Sequence, residues 1–262
     1  DLQLTGPEPV VTVAPSKASD RLEHLGVQGL SFSYPGSNNG IQDIDMDLPR
    51  SSFTVITGRI GSGKTTLLRA LLGLVPADGG EIRWNGELIA DPATWMVPPH
   101  AAYTPQVPSL FSMSLRDNLQ LGRKDTDDEI RTAIRSAALE RDLEDMPDGL
   151  DTMVGPRGMR LSGGQVQRTA AARMLLRRPE LLVFDDLSSA LDVETEQTLW
   201  RRLLEEQAGA TALVVSHRLP ALMRADQVLM MEGGRIVARG TYEELLETSD
   251  VFNTLFVANG SG

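Results

Sequence analysis

The sequence predicts an α/β fold in which a parallel-sheet core carries one smaller part of antiparallel strands and one of helices. The strand expected at Phe53–Thr57 leads directly into a glycine-rich stretch and then into leucines at helical spacing, which end at Pro76. Residues 181–184 and 212–215 are continuous apolar runs with the length of buried parallel strands. Residues 112–178 between these strands are helical in character. Strands that alternate with helices indicate an α/β core.

Antiparallel strands are expected in two places. Residues 27–34 and 41–48 alternate apolar with polar side chains on either side of a Pro-Gly-Ser-Asn-Asn-Gly turn, which is typical of a hairpin. Residues 80–104 return to short strands, around an Asn-Gly turn dipeptide. We therefore expect an antiparallel β subdomain at about 22–52 and 80–104.

The helical part and the end of the chain complete the pattern. Residues 126–129 read Thr-Asp-Asp-Glu, a capping box, and an apolar stripe follows it. We expect an inserted α-helical subdomain at about 107–178. A final hairpin at 228–238 and a helix that begins at Thr241 should close the domain near residue 256.

Composition limits the possible functions. The net charge of −11 argues against nucleic acid as a partner, since phosphate backbones bind basic patches. The absence of cysteine excludes disulfides and thiolate metal sites. No apolar stretch approaches the ~18 residues that a membrane helix requires, so we expect this fragment to be soluble. Three prolines among small residues favour a linker at 1–21, or else an ordered arm on the domain, and 257–262 should form a tail.

Residues 58–65 match the phosphate-loop pattern G-x-x-x-x-G-K-[ST], between a strand and a helix. Glycines let backbone N–H groups wrap phosphates, and the helix N-terminus adds its positive end. Lys64 can reach the β and γ phosphates, and the Thr65 hydroxyl can bind Mg²⁺. The alternative is a glycine-rich turn with a surface lysine. The nucleotide contacts expected here are Gly58, Arg59, Ile60, Gly61, Ser62, Gly63, Lys64, Thr65 and Thr66.

A second glycine-containing motif reads Leu161-Ser162-Gly163-Gly164-Gln165. Ser162 and Gln165 form a capping box, so the motif could simply begin a helix, and it could equally bind an anion there. The pentapeptide resembles the signature of the ATP-binding cassette (ABC) ATPase family. The resemblance spans about 22–256 and implies a P-loop NTPase (RecA-like) core that binds ATP and Mg²⁺. It also implies a head-to-tail pair of domains, because in that family the signature contacts the nucleotide of the opposite subunit.

The same resemblance assigns the two aspartates after residues 181–184. Asp185 would hold Mg²⁺, and Asp186 stands where active members usually have a glutamate that acts as general base. The aspartate carboxylate is set back by more than ~1 Å, a displacement that can cost about a hundredfold in rate. Asp186 is therefore either a slow base, as His217 favours, or part of the degenerate half of a heterodimer, as the intact signature favours.

Other positions follow from the resemblance. Tyr34 would stack on adenine, or it is a core tyrosine. Gln106 would sense Mg²⁺ and the attacking water, or it is an ordinary loop residue. His217 would contact the γ-phosphate, and residues 188–192 would connect the paired sites. The resemblance adds these expected ATP contacts: Tyr34, Ile41, Gln106, Leu161, Ser162, Gly163, Gly164, Gln165 and Asp192. The expected catalytic residues are Lys64, Gln106, Asp186 and His217, and the Mg²⁺ residues are Thr65, Gln106 and Asp185.

Two segments resemble those of exporter-type members. They are residues 110–119 and 154–158, although Pro156 stands where a glutamate is usual. The resemblance then implies that a transmembrane domain precedes this one, that a second nucleotide-binding domain pairs with it, and that it lies at the cytoplasmic face of the cell membrane. A non-transport ABC ATPase and a regulatory ATP-binding module remain as alternatives.

Overall fold

The computed structural model describes residues 21–37, 39–156, 158–206 and 209–256. The expected tail, nearly all of the expected linker, Asn38 of the first turn and Arg157 of the second exporter-like segment lie outside the described residues. Within the described ranges, no helix is both long enough and apolar enough to cross a membrane.

A six-stranded sheet forms the centre of the molecule, in the order β12-β11-β3-β10-β9-β6. Neighbouring strands run parallel except for β11 and β12, which form the predicted antiparallel hairpin. β3, β9 and β10 are buried along their whole length, which for β9 and β10 confirms the prediction from their apolar runs. The strands are β3 (Phe53–Thr57), β6 (Ala101–Thr104), β9 (Leu181–Asp185), β10 (Thr211–Val215), β11 (Gln227–Glu232) and β12 (Arg235–Gly240).

A second sheet contains four antiparallel strands in the order β2-β1-β4-β5. They are β1 (His24–Ser33), β2 (Gly40–Pro49), β4 (Gly79–Trp84) and β5 (Glu87–Leu88). The structure corrects one assignment: β6, expected in the antiparallel part, pairs in parallel with β9 of the central sheet. Ala101, Ala102 and Thr104 are all buried, because neighbours cover both faces of this strand. Four residues are too few to show a period that distinguishes the two sheets.

Ten helices occur among the described residues, several of them short. Capping boxes begin three of them, at Thr126, Ser162 and Thr241, as the sequence predicted. The short strands β7 (Met113–Ser114) and β8 (Met153–Val154) form a separate antiparallel pair. The helices are α1 (Lys64–Leu71), α2 (Pro92–Trp95), α3 (Leu115–Gln120), α4 (Asp127–Ser136), α5 (Glu140–Glu144), α6 (Gly163–Leu175), α7 (Val193–Glu206), α8 (Leu219–Leu222), α9 (Tyr242–Thr248) and α10 (Asp250–Phe256).

Side chains of the central sheet divide between two apolar cores. Leu182 and Phe184 of β9 belong to the core that contains α3, α4, α6 and α7, whereas Leu181 and Val183 belong to the core beneath α1 and the antiparallel sheet. Trp200 of α7 contacts Phe184 with ring centroids 5.7 Å apart. Burying side chains of this size contributes about 1.5–3 kcal/mol each. Because β3, β9 and β10 run parallel, their carboxyl ends lie at the same edge of the central sheet.

Candidate active site

The loop after β3 has the conformation that phosphate binding requires. Gly58, Gly61 and Gly63 have φ values of 142°, 83° and 102°, which side-chain-bearing residues rarely adopt. A Cβ on Gly58 would also approach the Met231 carbonyl oxygen to 2.2 Å. The loop ends at the first turn of α1, so its N–H groups and the helix N-terminus face the same space.

Lys64 lies across the mouth of this loop. Its Nζ donates hydrogen bonds to the carbonyl oxygens of Gly58 at 2.7 Å and Arg59 at 2.8 Å. Burial lowers the pKa of Lys64, and the nearby carboxylates of Asp185 and Asp186 partly oppose that shift. An ammonium group is therefore held where it can bind an anionic phosphate.

Asp185 ends β9 with both carboxylate oxygens occupied. Thr65 Oγ1 donates to Oδ1 at 3.1 Å, and the Tyr103 hydroxyl donates to Oδ2 at 3.2 Å. Burial raises the pKa of Asp185 and these hydrogen bonds lower it, the net shift being upward. Burial, together with the Asp185 carboxylate, raises the pKa of Tyr103 to about 12. A hydroxyl and a carboxylate side by side are hard oxygen ligands that fit Mg²⁺.

Asp186 occupies a different environment from its neighbour. Its backbone has φ 54°, in the left-handed region, and the residue is only 9% exposed. Gln106 Nε2 donates to Oδ2 at 3.1 Å, whereas Oδ1 has no hydrogen-bond partner among the described residues and lies 4.0 Å from His217 Nδ1. Burial raises the pKa of Asp186 above its ordinary value. A carboxylate with one free buried oxygen next to an amide and an imidazole can accept a proton from a bound water.

These groups face one cavity of about 930 Å³. Tyr34 closes one side: its ring packs edge-to-face on Phe32, and its hydroxyl lies 3.4 Å from Thr66 Oγ1. The sequence-predicted residues that line the cavity are Tyr34, Gly58, Arg59, Ile60, Gly61, Gly63, Lys64, Thr65, Thr66, Gln106, Asp185, Asp186 and His217.

Sequence reasoning missed six of the lining residues. Asn39 and Gly40 follow the Tyr34 turn, so their proximity to Tyr34 could have identified them. The other four lie on β10, α8 and α10, and no motif marks them. The six are Asn39, Gly40, Val215, Leu219, Leu255 and Phe256.

Two of the predicted nucleotide contacts are buried residues. Ile41 is 2% exposed, and its Cγ2 would lie 3.2 Å from a Cβ on Gly63, so the side chain supports the loop from below. Ser62 is 5% exposed, and its carbonyl oxygen accepts a hydrogen bond from the Gly234 N–H at 3.1 Å. Ser62 Oγ lies 3.4 Å from Lys64 Nζ, and contact of Ile41 and Ser62 with the nucleotide stays a prediction.

The signature residues form a separate face. Residues 161–165 and Asp192 do not line the cavity. The Ser162 and Gln165 side chains cap the start of α6, and Gln165 Nε2 donates to Asp142 Oδ1 at 2.8 Å. Asp192 accepts hydrogen bonds from the backbone and hydroxyl of Thr195 at the start of α7. Ser162 and Gly163 are exposed to solvent at the start of α6.

Comparison with known proteins agrees with this geometry. The family model described as "ABC transporter" matches residues 41–189, more than half of the chain. The probable multidrug resistance ABC transporter ATP-binding/permease protein YheI of Bacillus subtilis is 41% identical over 83% of this chain and 37% of its own length. A putative export ATP-binding/permease protein of Rickettsia bellii is 34% identical over 88% of this chain and 41% of its own length.

A solved structure has the same fold. A bacterial Atm1-family ABC exporter with ATP bound superposes with a TM-score of 0.85 at 27% identity, covering 96% of this chain and 44% of that one. The chain thus spans about two-fifths of the length of these relatives. It belongs to the ABC transporter family and is an ATPase nucleotide-binding domain of that family.

Proposed function

We propose that this domain binds ATP with Mg²⁺ in the 930 Å³ cavity and hydrolyses it with Asp186 as general base. The proposal rests on the convergence of these groups on one cavity. The Lys64 ammonium, the Thr65–Asp185 pair and the Asp186–Gln106 pair reach one space from three separate segments of the chain. An anion site, hard oxygen ligands and a base with a raised pKa are what phosphoanhydride hydrolysis requires.

Each side chain then has a defined task. The Tyr34 ring stacks on adenine, and Lys64 with the loop N–H groups binds the β and γ phosphates. Asp186 Oδ1 accepts the proton of the attacking water, while Gln106 Nε2 and His217 orient that water and the γ-phosphate. Thr65 and Asp185 would hold Mg²⁺, which neutralises charge on the phosphates when bound.

The signature face requires a second domain. We propose that a second nucleotide-binding domain supplies its own residues 161–165 to the ATP of this chain, head to tail, and receives this chain's signature in return. Exposed Ser162 and Gly163 at a helix N-terminus are suited to an anionic γ-phosphate. By analogy with its relatives, the pair would drive export through a transmembrane domain from the cytoplasmic face of the membrane.

One observation favours a second candidate function. Asp186 is a short carboxylate at a position where active relatives usually have glutamate, and its backbone lies in the left-handed region, which glutamate tolerates less well than aspartate. This chain could therefore be the slow half of a heterodimer that binds ATP mainly to complete its partner's site.

Hydrolysis by the purified chain tests the base assignment. Phosphate release with ATP and Mg²⁺ should be compared for the wild type, Asp186→Glu and Asp186→Asn, alone and with a candidate partner, with EDTA as the control. A working base predicts that Asn abolishes turnover and Glu raises it by up to about a hundredfold. Unchanged turnover in Asp186→Asn would contradict the assignment.

A further inference from the structure

The buried side chain of Gln167, in α6, contacts the loop at Gln106 and the segment that runs from Asp186 to Ala190. It lies two residues after the signature and is only 5% exposed. Its Nε2 donates to Ser189 Oγ at 3.0 Å and lies 3.4 and 3.5 Å from the carbonyl oxygens of Gln106 and Asp186. Its Oε1 accepts the N–H of Ala190 at 3.3 Å. Both ends of the amide therefore contact the loops that carry the catalytic groups.

These contacts reach the backbone of the base itself. Ser189 Oγ donates to the Asp186 carbonyl oxygen at 3.0 Å, so Gln167 approaches this oxygen both directly and through a hydroxyl. The Asp186 backbone has φ 54°, a conformation that persists only where its surroundings hold it. Gln167 and Ser189 are part of what holds it.

α6 also carries the signature. Gly164 packs so closely on the 188–192 loop that a Cβ there would lie 2.8 Å from the Ala190 carbonyl oxygen. In the proposed function the signature serves the partner's ATP, whereas Asp186 and Gln106 serve this chain's own ATP. Gln167 is thus the buried polar link between elements that belong to different ATP sites.

We propose that Gln167 is a positioning residue. It transmits movement of α6, the helix that begins at the signature, to the backbones of Asp186 and Gln106, and so couples the two ATP sites. The inference rests on the proposed function. It differs from simple packing in one respect. If Gln167 only stabilised α6, its substitution would lower the free energy of unfolding and leave catalysis unchanged. If it is a positioning residue, its substitution changes kcat and the amide hydrogen exchange of the loops at Gln106 and Asp186, while KM stays nearly constant.

The test compares Gln167→Met with Thr169→Val. Methionine keeps the length of the side chain and removes both hydrogen-bonding ends. Thr169 is a fully buried position on the same helix whose hydroxyl donates to the Gln165 carbonyl oxygen of that helix, so valine is a matched control. Steady-state ATP hydrolysis and amide hydrogen exchange are measured on the full chain in both variants.

Gln167→Met should lower kcat by about 10- to 100-fold with KM within about twofold of wild type, as expected for a base displaced by a fraction of an ångström. Amide hydrogen exchange should accelerate at 106–107 and 186–190 but not in β3, and Thr169→Val should change neither measurement. Combining Gln167→Met with Ser189→Ala should lower kcat little further, because both changes break one chain of hydrogen bonds.

The outcomes separate this inference from the proposed function. If the wild type neither binds nor hydrolyses ATP, the proposed function fails, and loop exchange in Gln167→Met still tests the hydrogen-bond link. If the wild type hydrolyses ATP but Gln167→Met matches Thr169→Val in kcat and exchange, the positioning role is wrong. Multiplicative losses with Ser189→Ala would also overturn it.

Discussion

The cavity and the signature face each contain a glycine-rich motif at a helix N-terminus, but the surroundings of the two motifs differ. In the cavity, the loop at 58–65 meets side chains from other segments, and buried carboxylates have raised pKa values. At the signature face, Ser162 and Gln165 bond to each other, Asp142 secures Gln165, and Ser162 remains exposed. The first site is assembled from several segments of one chain, whereas the second is an exposed helix start that lies outside that cavity. Four changes can break or sharpen this distinction.

The largest effect should come from Lys64→Ala. Removing the ammonium that lies across the phosphate loop should weaken ATP binding by about a hundredfold or more and abolish detectable hydrolysis. A fluorescent nucleotide titration measures the affinity, and Lys124→Ala, an exposed lysine, is the control. An equal loss of affinity in Ser162→Ala, measured on the chain alone, would contradict the distinction between the two sites.

Asp142→Ala should lower the free energy of unfolding by weakening the structure next to the signature face. Asp142 Oδ2 accepts from Arg168 Nη2 at 2.6 Å, and both side chains are largely buried. Removing the carboxylate leaves Arg168 without its partner and Gln165 without its anchor, at a cost of about 2 kcal/mol. Urea unfolding measures the free energy, with exposed Asp145→Ala as the control. A loss no greater than that of the control would show that the anchor contributes little.

Gly164→Ala should act only where two domains meet. The added Cβ would push on the Ala190 carbonyl oxygen and displace either the signature or the 188–192 loop by a few tenths of an ångström. We expect ATP affinity of the chain alone to stay constant, whereas ATP-dependent pairing and turnover fall about tenfold. Sedimentation with and without ATP, in parallel with phosphate release, distinguishes the two. Weakened binding by the isolated chain would place this glycine in the cavity site instead.

The smallest effect is a modest gain in stability in Asp186→Asn at neutral pH. Burial raises the pKa of the folded Asp186 carboxyl above its unfolded value, so protonation favours the folded state and this contribution is lost as pH rises through the folded pKa. Asparagine removes the buried charge and tolerates the left-handed backbone. The gain in Tm should therefore disappear in acid. Hydrolysis by the wild type should fall as pH drops through the same raised pKa.

The sequence by itself determined the features that depend on neighbours along the chain. The phosphate loop, the three capping boxes and the apolar strands β3, β9 and β10 each depend on residues a few positions apart, so local chemistry specifies them. Family resemblance added the order of the motifs, because the same short patterns recur in that order in its relatives.

Only the tertiary structure decided what depends on distant packing. It placed β6 in the central sheet, buried Ile41 against the phosphate loop, and brought α10 to the wall of the cavity. It also brought Gln167 to the backbones of Gln106 and Asp186, 61 and 19 positions away. A side chain's orientation is set by which surfaces are already covered, and that depends on the whole fold rather than on any local pattern.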